Sequence, residues 1–357
     1  MESFSQIRLH LTNRCNLACS YCFEKGSCQN REVDMSPDVL LASLNFLKSR
    51  LSSRNVKVVF FGGEPLLRFD LIEFAVLHTK KLFPADKYNL RFAISTNGTL
   101  LDDNMLSLIA DNDFGILFSY DGSKHNMFRK SGKFDAEFSL TQINKLFSRI
   151  SPERVALAAT IHHKNIDILA MISDLIKVGA KHIKLGINMV AGTEDSLTED
   201  DFSSMCEQVP DIMRLLEKYP HINVAYFSMF LDDYKRIKSG SRCSLCWGEL
   251  TVDTNGDVYP CSVFVGDEYF RLGNVLAGGM LDVNKEKLFL QVLNKNANFC
   301  KDCEIKALCP EPCLLDCIVE GGNKFDPLAR NYPGKCAFMK KIVIEKLKKL
   351  RHLLTTS

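Results

Sequence analysis

The stretch HLTNRCNLACSYCFEKG, residues 10–26, decides the reading of this chain. Its cysteines stand at 15, 19 and 22, directly behind QIRLHLT (6–12), a short run of β type. Thiolates spaced C-x3-C-x2-C can hold three irons of a [4Fe–4S] cube, which ordinarily takes four cysteine ligands. The remaining iron would then be open to another molecule, just as catalytic zinc sites keep one position open. A zinc site completed by a distant residue, or three unrelated thiols, are the readings that spacing alone leaves standing.

Outward from this stretch the strand-then-loop order repeats. Runs of β type lie at VKVVFF (56–61), RFAIST (91–96), GILFSY (115–120), RVALAATI (154–161) and HIKLGI (182–187). Helical patterns alternate with them: SPDVLLASLNFLKSRL (36–51), FDLIEFAVLHTKKLF (69–83), DNMLSLIADN (103–112) and NIDILAMISDLIKVG (165–179). Ser36 reads as an N-cap with Pro37 in the first helical position, and Gly179 as a stop. Six β/α units in succession predict an α/β fold whose parallel sheet is either open or curled into a barrel. Ligands bind such sheets at the carboxyl ends of the strands. The cysteine triad follows the first strand, GGEP (62–65) the second, TNG (96–98) the third and DG (121–122) the fourth. These loops therefore read as one site.

The 357 residues are 46% apolar and 25% charged, and the net charge of +2 is spread along the chain, which gives no electrostatic case for nucleic acid. No apolar run approaches the roughly 18 residues of a membrane span. The start, MESFSQIRLHL, lacks the basic segment and apolar core of a secretory signal. These features predict a cytoplasmic protein without a membrane partner, in which fourteen cysteines point to metal rather than to disulfides. Cys28 and Cys206 stand alone and read as ordinary thiols. After LTEDDFSSMCEQVPDIMRLLEKY and INVAYF the composition turns to cysteine, glycine and short turns, which sets a boundary near 235–242. The tail KKIVIEKLKKLRHLL (340–354) reads as an amphipathic surface helix with a solvated basic face.

CNLACSYC (15–22) resembles the C-x3-C-x-aromatic-C signature of the radical S-adenosylmethionine (SAM) enzymes. FFGGEPLL (60–67) is similar to their GGEP motif, and STNGT (95–99) to the strand-end loop that follows it. The resemblance implies a partial (β/α)6 barrel with a bridging helix over residues 1–235. It also implies that Cys15, Cys19 and Cys22 hold a [4Fe–4S] cluster whose open iron takes the amino and carboxylate groups of SAM. Reductive cleavage of SAM to methionine and a 5′-deoxyadenosyl radical would follow, with a flavodoxin or ferredoxin as the reducing partner. Carried over residue by residue, Tyr21 lies near the adenine, and Gly62, Gly63, Glu64 and Pro65 form the motif whose backbone receives the methionine amine. Ser95, Thr96, Asn97, Ser119 and Asp121 match polar groups near the ribose and carboxylate. Arg129, four residues after His125 as in H-x3-R, is the candidate for the SAM carboxylate, and His125 reads as a packing residue. His162 and His163 read as a strand-end turn and not as metal ligands.

Nine further cysteines lie between 243 and 336. CWGELTVDTNGDVYPC (246–261) reads as a hairpin about an NG turn, and CKDCEIKALCPEPC (300–313) is C-x2-C-x5-C-x3-C. C-x2-C pairs also suit structural zinc. The whole pattern resembles the SPASM domain, which implies two auxiliary [4Fe–4S] clusters within residues 236–340 and a basic amphipathic helix at 341–357. The family pairing places Cys243, Cys246, Cys261 and Cys313 on the first cluster. Cys300, Cys303, Cys309 and Cys336 fall on the second, leaving Cys317 over. With the SAM cluster this makes three.

SPASM enzymes mostly modify peptides or proteins, by installing carbon–carbon, thioether or ether crosslinks or by oxidising a sulfatase Ser or Cys to formylglycine. In the sulfatase class an aspartate base follows the hairpin's cysteine; here YPCSVF places Ser262 there, and a hydroxyl cannot replace a carboxylate as base. The expectation is therefore a maturase that crosslinks a ribosomally made peptide, with Asp267 and Glu268 as candidates for the base and sulfatase-type oxidation as the alternative. Only fourteen residues precede Cys15, so leader recognition is expected from a separate protein or from the barrel surface. From another class, a non-catalytic iron–sulfur carrier or a zinc-stabilised binding protein would have no use for a GGEP loop.

Overall fold

A computed structural model describes residues 4–24, 33–129, 134–188, 194–228, 243, 245, 248–294, 300–309, 313–319, 324–326 and 333–356. The chain divides into two compact units, residues 1–120, 126–156 and 244–288 in one and residues 121–125, 157–243 and 289–357 in the other.

In the first unit β1 (Gln6–His10), β2 (Asn55–Phe61), β3 (Asn89–Thr96) and β4 (Gly115–Ser119) lie side by side and parallel, with Ile7 opposite Val58 and Ile94 opposite Ile116. Their near-continuous apolar runs suit a sheet covered on both faces. Val58 and Phe60 are fully buried, and the rings of Phe60, Phe92 and Phe114 stack on one another. Helices Pro37–Arg50, Phe69–Leu82, Asp103–Asp111 and Ala136–Arg149 supply the cover. Ser36 caps the first of them as expected, accepting from the Val39 N–H at 3.2 Å, with Pro37 beginning the helix.

The downstream cysteine region contributes to this same sheet. Glu249–Val252 forms a strand that runs parallel to β1 on its other side, with Leu9 opposite Val252. Its antiparallel partner Asp257–Tyr259 returns across the expected Asn255–Gly256 turn, where Gly256 has φ +89° and the Asp253 N–H donates to the Asp257 carbonyl at 2.8 Å. The boundary expected near 235–242 lies outside the described residues, and the strand after it joins the sheet of the first unit. An uncovered β1 would present a row of unpaired backbone groups, and Glu249–Val252, buried at all four positions, satisfies them.

In the second unit the strands Val155–Ile161 (β5), whose first two residues belong to the first unit, His182–Ile187 (β6) and Asn223–Val224 (β7) are neighbours in that order. Of INVAYF only Asn223 and Val224 are strand. Helix Ile168–Lys177 stops where expected, with Gly179 at φ +95° donating to the Ile176 carbonyl at 2.9 Å. Helix Glu199–Lys218 opens on a capping box between Thr198 and Asp201. The final helix, Pro333–Thr356, begins earlier than the expected 341 and takes in Cys336. It packs closely on Glu199–Lys218: a Cβ on Gly334 would stand 2.7 Å from the Phe202 Cβ. Among the described residues no helix is long and apolar enough to cross a membrane.

Candidate active site

The first unit gathers the loops behind β1, β2 and β3. Cys15, Cys19 and Cys22 lie on the loop that leaves β1. Two of their sulfurs are addressed by donors: the Leu17 N–H stands 3.4 Å and the Asn97 Nδ2 3.9 Å from Cys15 Sγ, and the Arg129 Nη1 stands 3.9 Å from Cys19 Sγ. The Arg129 guanidinium also lies over the Tyr21 ring, 5.5 Å from its centroid, and the Ser20 N–H donates to the Phe128 carbonyl at 2.9 Å. The residues predicted for the cluster and for the adenine and carboxylate of SAM are thus brought together.

The GGEP loop supports the cysteine loop through its backbone. Gly63 and Glu64 donate their N–H groups to the carbonyls of Thr12 and Arg14, each at 2.9 Å. A Cβ on Gly62 would meet the Thr12 carbonyl oxygen at 2.4 Å, and one on Gly63 the Arg14 carbonyl oxygen at 2.3 Å. Two glycines are needed because two backbones touch. Glu64 is buried and points away from that contact. Its Oε1 accepts from the Leu66 N–H (3.0 Å) and the Thr96 hydroxyl (2.7 Å), and its Oε2 accepts from the Asn97 N–H (2.7 Å). Burial pushes this carboxyl up to about 7 against the pull of the three bonds. Pro65 begins the turn Pro65–Arg68.

Asn97 in turn donates to Asn16 Oδ1 at 3.0 Å and accepts from the Thr99 N–H and hydroxyl. The Asn16 amide also donates to the Thr99 hydroxyl at 2.7 Å. Asn16 and Thr99 were not singled out by sequence, although both stand inside the quoted motifs. Ser95 is half-buried on β3, and Ser119 is the half-buried last residue of β4. In the second unit Asp121 is buried and its Oδ1 accepts from the Thr160 N–H at 3.0 Å. The His125 Nδ1 accepts from the Asp121 N–H at 3.4 Å.

A second polar group in the first unit gave no sequence signal beyond its polar residues. His10, fully buried at the end of β1, faces Glu24 Oε2 at 3.7 Å with Nε2 and Asp253 Oδ1 at 4.0 Å with Nδ1. Burial takes His10 down to about 4, and burial together with Asp253 pushes Glu24 up to about 8. The histidine is therefore neutral at neutral pH.

The downstream cysteines are placed individually. Cys261 opens the turn Ser262–Phe264, and Cys313 opens the turn Leu314–Cys317, its N–H donating to Asp316 at 3.1 Å. Cys303 and Cys309 lie in turns closed on Cys300 and Ile305, and Cys336 lies in the first turn of the last helix. Cys317 is buried and pushed up to about 12 by that burial, the state of an inert thiol. Cys243 is half-buried, whereas Cys246 and Cys28 fall outside the described residues. Asp267 and Glu268 both face solvent, and Glu268 is spent on Arg271 at 3.2 Å.

The donor set fits a thiolate-held cluster, since three cysteines on one loop can hold it and N–H groups directed at their sulfurs tune it. The cradle that admits only glycine fixes the loop that carries it.

Comparison with known proteins agrees. Residues 9–176 match the Radical SAM superfamily, and residues 243–304 match SPASM, an iron–sulfur cluster-binding domain. Over 345 residues the chain is 25% identical to a cysteine-type anaerobic sulfatase-maturating enzyme of Clostridium novyi, covering 88% of each. It is 22% identical over 336 residues to the radical SAM cyclopropyl synthase TigE of Paramaledivibacter caminithermalis, covering 88% of this chain and 68% of that one. The solved structure of native anSMEcpe with AdoMet and the Kp18Cys peptide shares the fold, with a TM-score of 0.79 at 19% identity and 99% of both chains covered.

Proposed function

We propose, for this radical SAM enzyme with its SPASM domain, that the reaction is the two-electron oxidation of a cysteine or serine side chain in a polypeptide to the formylglycine aldehyde, reached from serine directly and from cysteine through a thioaldehyde that water hydrolyses with release of hydrogen sulfide. The observation that carries this reading is the correspondence with a sulfatase-maturating enzyme over 88% of both chains. Crosslinking, ranked first on the strength of Ser262, takes second place: Ser262 removes one base from one position, while the likeness spans both domains. It survives as a second reading because TigE, a cyclopropyl synthase, is also a relative.

When bound, the cluster and SAM supply the 5′-deoxyadenosyl radical that removes a hydrogen atom from the substrate's β-carbon. Cys15, Cys19 and Cys22 hold the cluster, and Asn97 and Arg129 direct donors at its sulfurs. Arg129, stacked on Tyr21, also offers a guanidinium to the SAM carboxylate. Glu64 joins the loops behind β2 and β3, so that Asn97 stays aimed at Cys15. By the family pairing, Cys243, Cys246, Cys261 and Cys313 would hold one auxiliary cluster and Cys300, Cys303, Cys309 and Cys336 another, three clusters with that of SAM, and the auxiliary pair would supply an acceptor for the electron left on the substrate.

The test is anaerobic turnover of reconstituted enzyme with SAM, a reductant and a sulfatase-derived peptide bearing cysteine or serine. Capture of an aldehyde by a hydroxylamine probe is the expected result. SAM cleavage with both peptides left unmodified would overturn the reading.

A further inference from the structure

The GGEP loop steadies the cysteine loop through backbone alone. Its N–H groups, on the neighbouring residues Gly63 and Glu64, each bond at 2.9 Å. Such a pair fixes a separation but does not stop the loop from rocking about the line that joins the two bonds. Arg14, whose carbonyl takes one of them, is followed directly by Cys15, so rocking there reaches a cluster sulfur. The first unit contains a second support, centred on a residue outside the sequence motifs.

We propose that Asp34 is a positioning residue for SAM cleavage, which holds the cysteine loop in the place its cluster needs. The inference rests on the assignment of Cys15, Cys19 and Cys22 to that cluster. Residues 33–35 run antiparallel to residues 11–13, with Asp34 opposite Thr12. The Asn13 N–H donates to the Val33 carbonyl at 3.1 Å, and the Met35 N–H to the Leu11 carbonyl at 2.8 Å. This pairing delivers the Asp34 carboxylate to the loop. Its Oδ1 accepts from the Thr12 hydroxyl at 2.5 Å and from Arg14 Nε at 3.0 Å, and its Oδ2 accepts from Arg14 Nη2 at 2.5 Å. A guanidinium and a carboxylate joined at both forks fix direction as well as distance.

Thr12 carries the restraint into the backbone. It is fully buried, and its hydroxyl accepts from the Arg14 N–H at 3.1 Å while donating to Asp34. Its carbonyl accepts from Gly63. Thr12 and Arg14, the residues that the GGEP backbone touches, are therefore the same residues whose side chains Asp34 holds. The far end of the network returns to the GGEP segment. Arg68, last in the turn Pro65–Arg68, places Nη1 3.1 Å from Asp34 Oδ2. It also pairs with Asp70 through Nε and Nη2, at 2.9 and 2.8 Å. Cation and anion alternate along Arg14–Asp34–Arg68–Asp70, and Asp34 is the carboxylate bonded to both guanidinium groups.

Exposure decides what kind of effect follows. The side chains of Arg14 and Asp34 are 40% and 26% exposed, and pairs so open to water add little to global stability. Their effect is on placement, where a shift of about 0.5 Å already matters. Groups that orient metal ligands from behind change affinity or activity by about ten- to a hundredfold when lost. Asp34 acts through Thr12 and Arg14 and not on a cysteine directly, which puts it at the lower end, about tenfold.

The test uses Asp34→Ala, Asp34→Asn and Asp70→Asn, each reconstituted anaerobically. Three quantities are read: 5′-deoxyadenosine formed per bound iron, the change that SAM makes in the EPR spectrum of the reduced protein, and the urea midpoint. Asp34→Ala should cleave SAM about tenfold more slowly per iron, with an altered SAM-dependent spectrum and a midpoint close to wild type. Asp34→Asn keeps an oxygen for Thr12 but loses the charge that pairs with the arginines, and should fall between the two. Asp70→Asn leaves the Arg14 bonds in place and should match wild type. Wild-type cleavage and spectrum in Asp34→Ala overturn the assignment, as does an equal loss in Asp70→Asn. If Asp34→Ala does not fold, wild-type cleavage per iron in Asp34→Asn overturns it instead.

Amide exchange on the unloaded chain gives a reading that needs neither cluster nor SAM. The Arg14 and Gly63 N–H groups should exchange severalfold faster in Asp34→Ala and at the wild-type rate in Asp70→Asn. Unaltered exchange in Asp34→Ala overturns the clamp. If exchange quickens but Cys15→Ala still binds a SAM-responsive cluster, the cysteine assignment fails and the hold of Asp34 on the loop stands.

Discussion

Replacing Gly63 by alanine tests whether the GGEP glycines exist to seat the cysteine loop. The new Cβ would lie 2.3 Å from the Arg14 carbonyl oxygen and 2.7 Å from its carbonyl carbon. A relaxed carbon–oxygen contact needs about 3.3 Å, so the loop must retreat by about 1 Å. Both bracing bonds, Gly63 N–H to Thr12 and Glu64 N–H to Arg14, start at 2.9 Å and would be lost in that movement. Two net hydrogen bonds amount to about 2 kcal/mol. Cys15 follows Arg14 directly, and a displacement of about 1 Å exceeds the roughly 0.5 Å tolerance of a working site.

Gly278 supplies the control, since it has φ +77° but nothing within 4 Å of an added methyl, so alanine there meets strain without a clash. Strain of that kind costs about 1 kcal/mol. Urea unfolding of the unloaded proteins, iron per chain after anaerobic reconstitution, and 5′-deoxyadenosine formation would be measured together. Gly63→Ala should lose stability, iron and SAM cleavage, while Gly278→Ala should lose only a little stability. Wild-type iron and SAM cleavage in Gly63→Ala would refute the argument from close approach.

Two further variants address the scaffold. Lys335 and Asp316 form a pair at 2.9 Å with side chains 4% and 8% exposed, and Lys335→Met leaves a buried carboxylate uncompensated. The expected loss is about 3–5 kcal/mol, read from urea midpoints and little changed by salt; a loss below about 1 kcal/mol, the range of an exposed pair, or one abolished by salt would count against it. At Asp257, burial raises the carboxyl, but bonds from Asn274, Arg271 and Asn255 prevail and hold it below the usual carboxylate range. A depressed folded value means stability that is present above the ordinary carboxylate pKa and lost as pH falls through the folded one. Asp257→Asn should therefore be less stable than wild type at neutral pH and show a shallower decline in acid, and parallel curves from about pH 7 to about pH 3 would dismiss that linkage.

The parts of the fold visible in sequence are those whose signal is local. β1 to β6 show as apolar runs because both faces of a parallel sheet are covered, and Ser36, Pro37 and Gly179 mark helix ends by their own backbone chemistry. The hairpin about Asn255–Gly256 was visible for the same reason, yet its place beside β1 was not. A four-residue strand buried at every position has no alternation to report its partner, which lies more than two hundred residues away.

The same division runs through the site. Cysteine spacing within a dozen residues marks the proposed cluster loop, since ligands of one object must reach it from one short segment. The work of Glu64 was hidden because two of its three hydrogen-bond donors, Thr96 and Asn97, come from the end of another strand. His162 shows the limit most clearly. As half of a His–His pair after a strand it reads as a turn, and the backbone bonds to Asn165 agree with that reading. What changes its chemistry is Asp195, which the chain delivers only after β6. A histidine's neighbours in sequence fix where its ring sits, whereas its partner in space decides which nitrogen carries the proton.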